Sequence, residues 1–260
     1  MGILDNLFMQ RAFAAGIMIA VITPLIGTVS VTKRLSMIGE ALSHTSLAGV
    51  AAGLLLNINP VLGAAVFCVF AALCIDAVRK KIPRYSELSI AIIMSAGLGT
   101  AALLSGYVQT PRSFNSFLFG SILLISRDEM IITAVISVIV ILSFIFFYKE
   151  FFYIAFDERA ARLSGVKAGL MNLFFTLLTA ITVSAAARIA GALLVSSLMV
   201  IPAACGLLLQ KSYKKTLIFS VLFAVGFTVT GLVMSFYIKG LKASAAIVLL
   251  GIICFVIILL

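Results

Sequence analysis

The sequence predicts an all-α polytopic membrane protein, a single bundle of about eight to nine transmembrane helices, and three observations carry that expectation. Of its 260 residues, 63% are apolar and 11% charged, which leaves too little polar surface to cover a soluble particle of this size. Apolar stretches of about 20 residues, the length that crosses a hydrocarbon core roughly 30 Å thick, recur from one end to the other. The basic residues gather in alternate connections instead of spreading evenly.

In chain order, spans are expected near 12–32, 36–56, 60–78, 88–106, 130–148, 170–187, 190–209, 216–238 and 243–260. Two places can change this count. The Gly-containing apolar run Phe114 to Ile125 reads also as re-entrant or interfacial, and the join from Arg188 to Gly191 is tight. Ahead of the first span, Met1 to Gln10 carries Asp5 and lacks a basic region before an apolar stretch, so it does not read as a cleaved signal peptide. Leu4, Leu7, Phe8 and Arg11 stand at helical spacing and predict a short interfacial helix over about 3–11. The whole of 1–260 reads as one transmembrane domain, with no room for a separate soluble unit.

Charge sets the expected orientation, because cytoplasmic loops accumulate Lys and Arg. On this segmentation one side holds Lys33, Arg34, Arg79, Lys80, Lys81, Arg84, Lys149, Arg159, Arg162, Lys167, Lys211, Lys214 and Lys215. The other holds Arg11, Arg112, Arg127, Arg188, Lys239 and Lys242. The first side is therefore expected to be cytoplasmic, with the N-terminus outside and the C-terminus inside. Topology thus accounts for the net charge of +10, and a nucleic-acid interface, which needs one contiguous basic face, is not indicated.

Several kinds of chemistry find no support. Cys68, Cys74, Cys205 and Cys254 all fall in apolar spans, without a CxxC or Cys/His pair. No GxxxxGK[ST] occurs; the nearest fragment, Gly206 to Ser212, lacks the second glycine. The chain is therefore expected not to be an enzyme. Uphill transport would draw on an ion gradient or on another subunit.

Ionisable residues inside spans are costly, about 2.5 to 3.5 kcal/mol near a helix centre. Asp76 precedes Arg79 and Lys80 by about one turn, where a solvated ion pair is the ordinary reading. Arg188 lies at an expected outer helix end, where its stem can snorkel. What is left is Glu40 and His44, in the run SMIGEALSHTSLAGVAAG. Four residues apart, they share one helical face. A carboxylate beside the only histidine of the chain reads as a proton or metal site, or as a structural hydrogen bond. Gly49 and Gly53 form a GxxxG on roughly the opposite face, where a second helix can pack closely, although glycines at this spacing are common in membrane helices.

A divalent transition metal takes about four His and carboxylate ligands, and one chain offers two here. A twofold homodimer would bring two copies of the Glu40/His44 face together and supply four. Imidazole binds metal only as the neutral ring, so uptake is expected to fall at acidic pH. Ser196, Ser197 and Pro202 in one span, with Thr179, Thr182 and Ser184 in the preceding one, can line a hydrated path; interhelical hydrogen bonding is the simpler expectation.

A second constellation lies in AFDERAARLSGVKAG, over about 155–168. Asp157 suits an N-cap, Glu158 the first turn, and Gly165 a left-handed stop, so Arg159, Ala160, Ala161, Arg162, Leu163 and Ser164 form about two helical turns that end before Val166. Such a helix can dock into a partner's groove or serve as an ordinary loop helix.

Three runs, IGEALSHTSLAGVAAG, FDERAARLSGV and GALLVSSLMVIPAACGLLL, together with FMQRAF and FLFGSILLIS, resemble the signature segments of the zinc/manganese permease family of ATP-binding-cassette importers, in the expected order over nearly the whole chain. The resemblance implies a type II importer permease bundle working as a homodimer, with two cytoplasmic ATPase subunits and an extracytoplasmic metal-binding protein. It implies that Asp157 to Val166 is the coupling helix that seats in the ATPase. It also implies that Glu40 and His44 are ligands in the translocation pathway for Zn²⁺, or for Mn²⁺ or Fe²⁺, with no permanently bound cofactor. The family pattern usually has Asp where this chain has Glu40, and the extra methylene moves the oxygens by about 1 Å or more. HTSLAGVAAG resembles the zinc branch; in the manganese branch a proline often follows the corresponding leucine. The rival readings are a gradient-driven transporter with Glu40 and His44 as a proton relay, and a permease of the siderophore or vitamin B12 type. An intramembrane metalloenzyme needs more ligands than one histidine provides.

Overall fold

The computed structural model describes residues 7–82, 85–107, 125, 127–209, 212–238 and 240–260. These residues form helices and connections only. In order they are α1 (Leu7–Thr32), α2 (Ile38–Leu55), α3 (Pro60–Lys81), α4 (Ser86–Ser105), α5 (Arg127–Phe146), α6 (Tyr148–Phe156), α7 (Glu158–Leu163), α8 (Ala168–Ala190), α9 (Ala192–Leu208), α10 (Tyr213–Tyr237) and α11 (Ala243–Leu259).

Each of the nine expected spans meets one helix. Six of them, α1, α3, α4, α5, α8 and α10, are long and apolar enough to cross a membrane. The other three are shorter: α2 has 18 residues, and α9 and α11 have 17, about 26 Å at 1.5 Å per residue. A single residue, Gly191, at φ 89°, joins α8 to α9, a backbone that favours glycine. The run Phe114 to Ile125 lies outside the described residues except for Ile125, which is buried.

Two features differ from expectation. Leu7 to Arg11 is no separate interfacial helix but the first part of α1, because nothing at helical spacing interrupts the run into Ala12; residues 3–6 lie outside the described residues. After the fifth span the chain continues as α6, an amphipathic helix that buries Phe151, Ile154 and Ala155 and leaves Phe152, Tyr153 and Phe156 exposed.

The bundle is built around α1, α2, α8 and α9. In α1 and α8, 67% of the most apolar window is buried, against 22–39% in α3, α4, α5 and α10, so the latter present their apolar faces outward. Sheathing differs on the two sides: α1 packs on α9, α10 and α5, whereas α2 lies between α3 and α4 and touches α8 and α9. Without a hydrophobic drive between helices in lipid, close approach must come from small residues. A Cβ on Gly49 of α2 would collide with the carbonyl of Gly63 in α3, and one on Gly63 with the carbonyl of Gly49. Gly53 has Pro60 Cα 3.0 Å from its would-be Cβ. A Cβ on Gly27 of α1 would collide with the carbonyl of Met199 in α9.

The hydroxyls expected to line a path bond within their own helices. Thr179, Thr182 and Ser184 donate to the carbonyls of Phe175, Leu178 and Ile181 at 2.8, 2.8 and 2.9 Å. Ser196 and Ser197 donate to Leu193 at 3.1 and 2.9 Å. The expected interhelical bonds are therefore replaced by bonds within each helix, since a carbonyl three or four residues back is always in reach of a hydroxyl.

Candidate functional site

Glu40 and His44 stand in the first two turns of α2. The helix starts at Ile38 without a side-chain cap, and Glu40 is the acidic residue of its first turn, where the helix dipole favours a carboxylate. The pair therefore sits near one end of α2 and not at mid-span. Glu40 Oε1 lies 3.9 Å from His44 Nε2, with the side chains 43% and 18% exposed. At that separation the two are not hydrogen-bonded. His44 Nδ1 is buried and has no hydrogen-bond partner among the described residues. A tetrahedral ion with bonds of about 2.1 Å holds two donors about 3.4 Å apart, close to the separation of this pair. Among the described residues no group of three or more His, Cys, Asp or Glu forms a metal cluster.

The neighbours of this pair are fixed by tight packing. Gly97 of α4 lies against Thr45, next to His44, and Gly39, next to Glu40, lies against the thioether of Met199. Met199 is thus wedged between Gly27 of α1 and Gly39 of α2. The sequence reading missed Met199; the two glycines facing it signal the site only once the helices are assembled.

The Asp157 to Val166 segment is capped at both ends. Asp157 Oδ1 accepts from Arg159 N at 2.7 Å and Ala160 N at 3.2 Å. At the other end Val166 N bonds to Ala161 O at 3.0 Å and Gly165 N to Arg162 O at 3.1 Å, with Gly165 at φ 82°, a Schellman stop. Ala161 is fully buried, while Leu163 is 90% exposed. One face of the segment is thereby anchored and the other offers a large apolar side chain.

Glu158 does the anchoring. Its Oε1 accepts from Lys33 Nζ at 3.2 Å and from Asn172 Nδ2 at 2.8 Å, and Arg79 Nη2 lies 3.9 Å away. Lys33 also donates to Asn172 Oδ1. The ends of α1 and α3 and the first turns of α7 and α8 therefore meet on one carboxylate. Burial opposes ionisation of Glu158, but Lys33, the Asn172 hydrogen bond and Arg79 outweigh it and hold its pKa below the usual glutamate value. Burial, with Arg79 beside it, lowers the Lys33 pKa to about 8 despite Glu158.

Two charged residues differ from expectation. Asp76 is buried, not solvated, 2.6 Å from Lys80 and 3.7 Å from Arg79, because its helix face is covered by the bundle. Arg188 does not simply snorkel: its Nε donates to Glu129 Oε1 at 2.6 Å, joining the last turn of α8 to the first turn of α5. Lys33, Arg79 and Arg162, which the charge count puts on one side, do lie together around Glu158.

The model of the ABC 3 transport family matches residues 5–260. The chain belongs to this family. The manganese transport system membrane protein MntC of Listeria monocytogenes is 30% identical over 254 residues, which cover 98% of this chain and 90% of that protein. The high-affinity zinc uptake system membrane protein ZnuB of Buchnera aphidicola is 28% identical over 225 residues, 86% of each chain. PsaBC from Streptococcus pneumoniae, solved in complex with a Fab, superposes with a TM-score of 0.87 at 26% identity, covering 100% of this chain and 93% of that one. This ABC 3 transport family member is thus a multi-pass membrane protein whose whole helical bundle takes part in the match.

Proposed function

We propose that the chain is the membrane permease subunit of an ATP-driven importer of a divalent transition metal, working as a homodimer with two cytoplasmic ATPase subunits and an extracytoplasmic binding protein. The observation that carries the reading is the Glu40/His44 pair: two metal-ligating groups 3.9 Å apart, not hydrogen-bonded to each other, in a chain whose relatives are named for metal transport. Two copies would complete a four-ligand site, and relative movement of the copies would open it, turning a conformational change into ion release. His44 Nδ1, without a partner among the described residues, supports a site completed by further ligands.

Zinc is the favoured cargo, on the HTSLAGVAAG run; the named relatives include a manganese and a zinc system. Nine crossings, with α7 at the cytoplasmic face and Asp157 to Val166 as the coupling helix, complete the reading. Its support is the segment's anchored inner face and the exposed Leu163.

The test is uptake of radioactive zinc and manganese by cells that depend on this importer. Glu40→Ala and His44→Ala are each expected to lower uptake at least about tenfold, a loss of about 1.4 kcal/mol or more of binding, while Glu40→Asp retains it. Uptake that survives Glu40→Ala with His44→Ala sinks the site. Saturable manganese uptake that zinc does not inhibit overturns the zinc assignment.

A further inference from the structure

Between α7 and the ends of α1 and α3 lies a cavity of about 340 Å³, in the range of small-molecule sites. Lys33, Arg79, Lys80, Arg162, Glu158 and Asn172 line it. Four cations thus face one another across a small space, and the carboxylates set against them are two, Glu158 and the adjacent Asp76, the latter 2.6 Å from Lys80. The imbalance is physical: Lys33 is buried to 5% side-chain exposure, and Arg79 beside it adds to the burial that makes its charge costly. The lining's excess of positive charge disfavours a metal cation, with Lys33 and Arg79 its buried members and Lys80 and Arg162 exposed. Guanidinium forks and ammonium groups match the oxygens of a phosphate. The position fits, since the cavity lies at the ends of α1 at Thr32 and α3 at Lys81, and basic pockets between helices on the cytoplasmic side take anionic headgroups.

We infer that this cavity binds a phosphate-bearing anion, supplied by the headgroup of an anionic phospholipid or as free phosphate, which bridges Arg162 of α7 to Arg79 and Lys80 of α3. An occupant there ties the Asp157 to Val166 segment to the bundle through a second joint beside Glu158. The lipid source rests on the cytoplasmic placement proposed above; binding itself needs neither metal nor ATPase and is measured without them.

The experiment uses the purified full-length chain in detergent with phosphatidylglycerol, phosphatidylcholine or inorganic phosphate, reading retained lipid by native mass spectrometry and the unfolding midpoint by circular dichroism. Phosphatidylglycerol is expected to be retained preferentially and to raise the midpoint. Lys80→Gln with Arg162→Gln should weaken this roughly 25-fold, at about fivefold per cation, while Arg34→Gln leaves it unchanged. A midpoint raised by inorganic phosphate alone supports the site with a soluble source. Equal retention of both lipids with no phosphate effect, or a preference that persists in the folded double variant, overturns it. Should the double variant not fold, Lys80→Gln alone and the wild-type preference decide.

Discussion

Lys33 and Glu158, 125 positions apart in the sequence, meet at 3.2 Å, and this pair joins the end of α1 to the first turn of α7. Asn172 bonds to both, so any displacement of α7 pulls on α1 and α8 together.

Alkaline pH is expected to loosen this joint. Lys33 has a pKa of about 8 in the folded protein against 10.5 for an ordinary lysine, and Glu158 is held in its ionised form. Between these values the unfolded chain binds more protons, so the contribution of Lys33 to stability rises with pH, while its ion pair with Glu158 is lost. At pH 9 only about a tenth of Lys33 stays charged. In the reconstituted importer, metal moved per ATP hydrolysed should therefore fall between pH 7 and 9 without a lowered unfolding midpoint. Lys33→Arg keeps the charge and should flatten the profile. A flat profile in the wild type refutes the coupling role of the pair.

Glycines in this bundle are expected to divide into three kinds. Gly49→Ala and Gly27→Ala force a methyl into a facing carbonyl and should cost about 1–3 kcal/mol, several degrees in the unfolding midpoint. Gly165→Ala meets no atom within 4 Å but sits at φ 82°, so about 1–2 kcal/mol of backbone strain is expected. Gly226→Ala, inside α10 with open space around it, should be neutral or stabilise by up to about 1 kcal/mol. A destabilising Gly226→Ala together with a silent Gly49→Ala would contradict the packing described.

Charge reversal tests the link from α5 to α8. Arg188→Glu places two carboxylates at the 2.6 Å contact of Arg188 with Glu129 and is expected to cost up to about 3–5 kcal/mol. Adding Glu129→Arg should return a measurable part of that loss, read as the coupling energy of a double-mutant cycle. Additive effects of the two reversals would show that the pair carries no energy.

Glu40, His44 and the α7 caps were legible because each rests on neighbours within four residues: a shared helical face, an Asp followed by free amides, a glycine able to take positive φ. Their surroundings were not. Asp76 reads as solvated in a sequence that gives no sign of what covers α3, and the hydroxyls of α8 and α9 read as interhelical only because their own carbonyls are invisible in a string of letters.

By itself the sequence determined the membrane class, the position of each long helix, the pairing of Glu40 with His44 along α2, and the start and stop of α7. All of these follow from composition and short-range periodicity. Only the tertiary structure decided that Glu158 answers Lys33 and Asn172, that Arg188 answers Glu129, and that Met199 fits between Gly27 and Gly39. The reason is that apolar helices in lipid carry little pattern to say which faces meet. Small residues and a few charges select among many similar packings, and that selection shows only when the helices stand side by side.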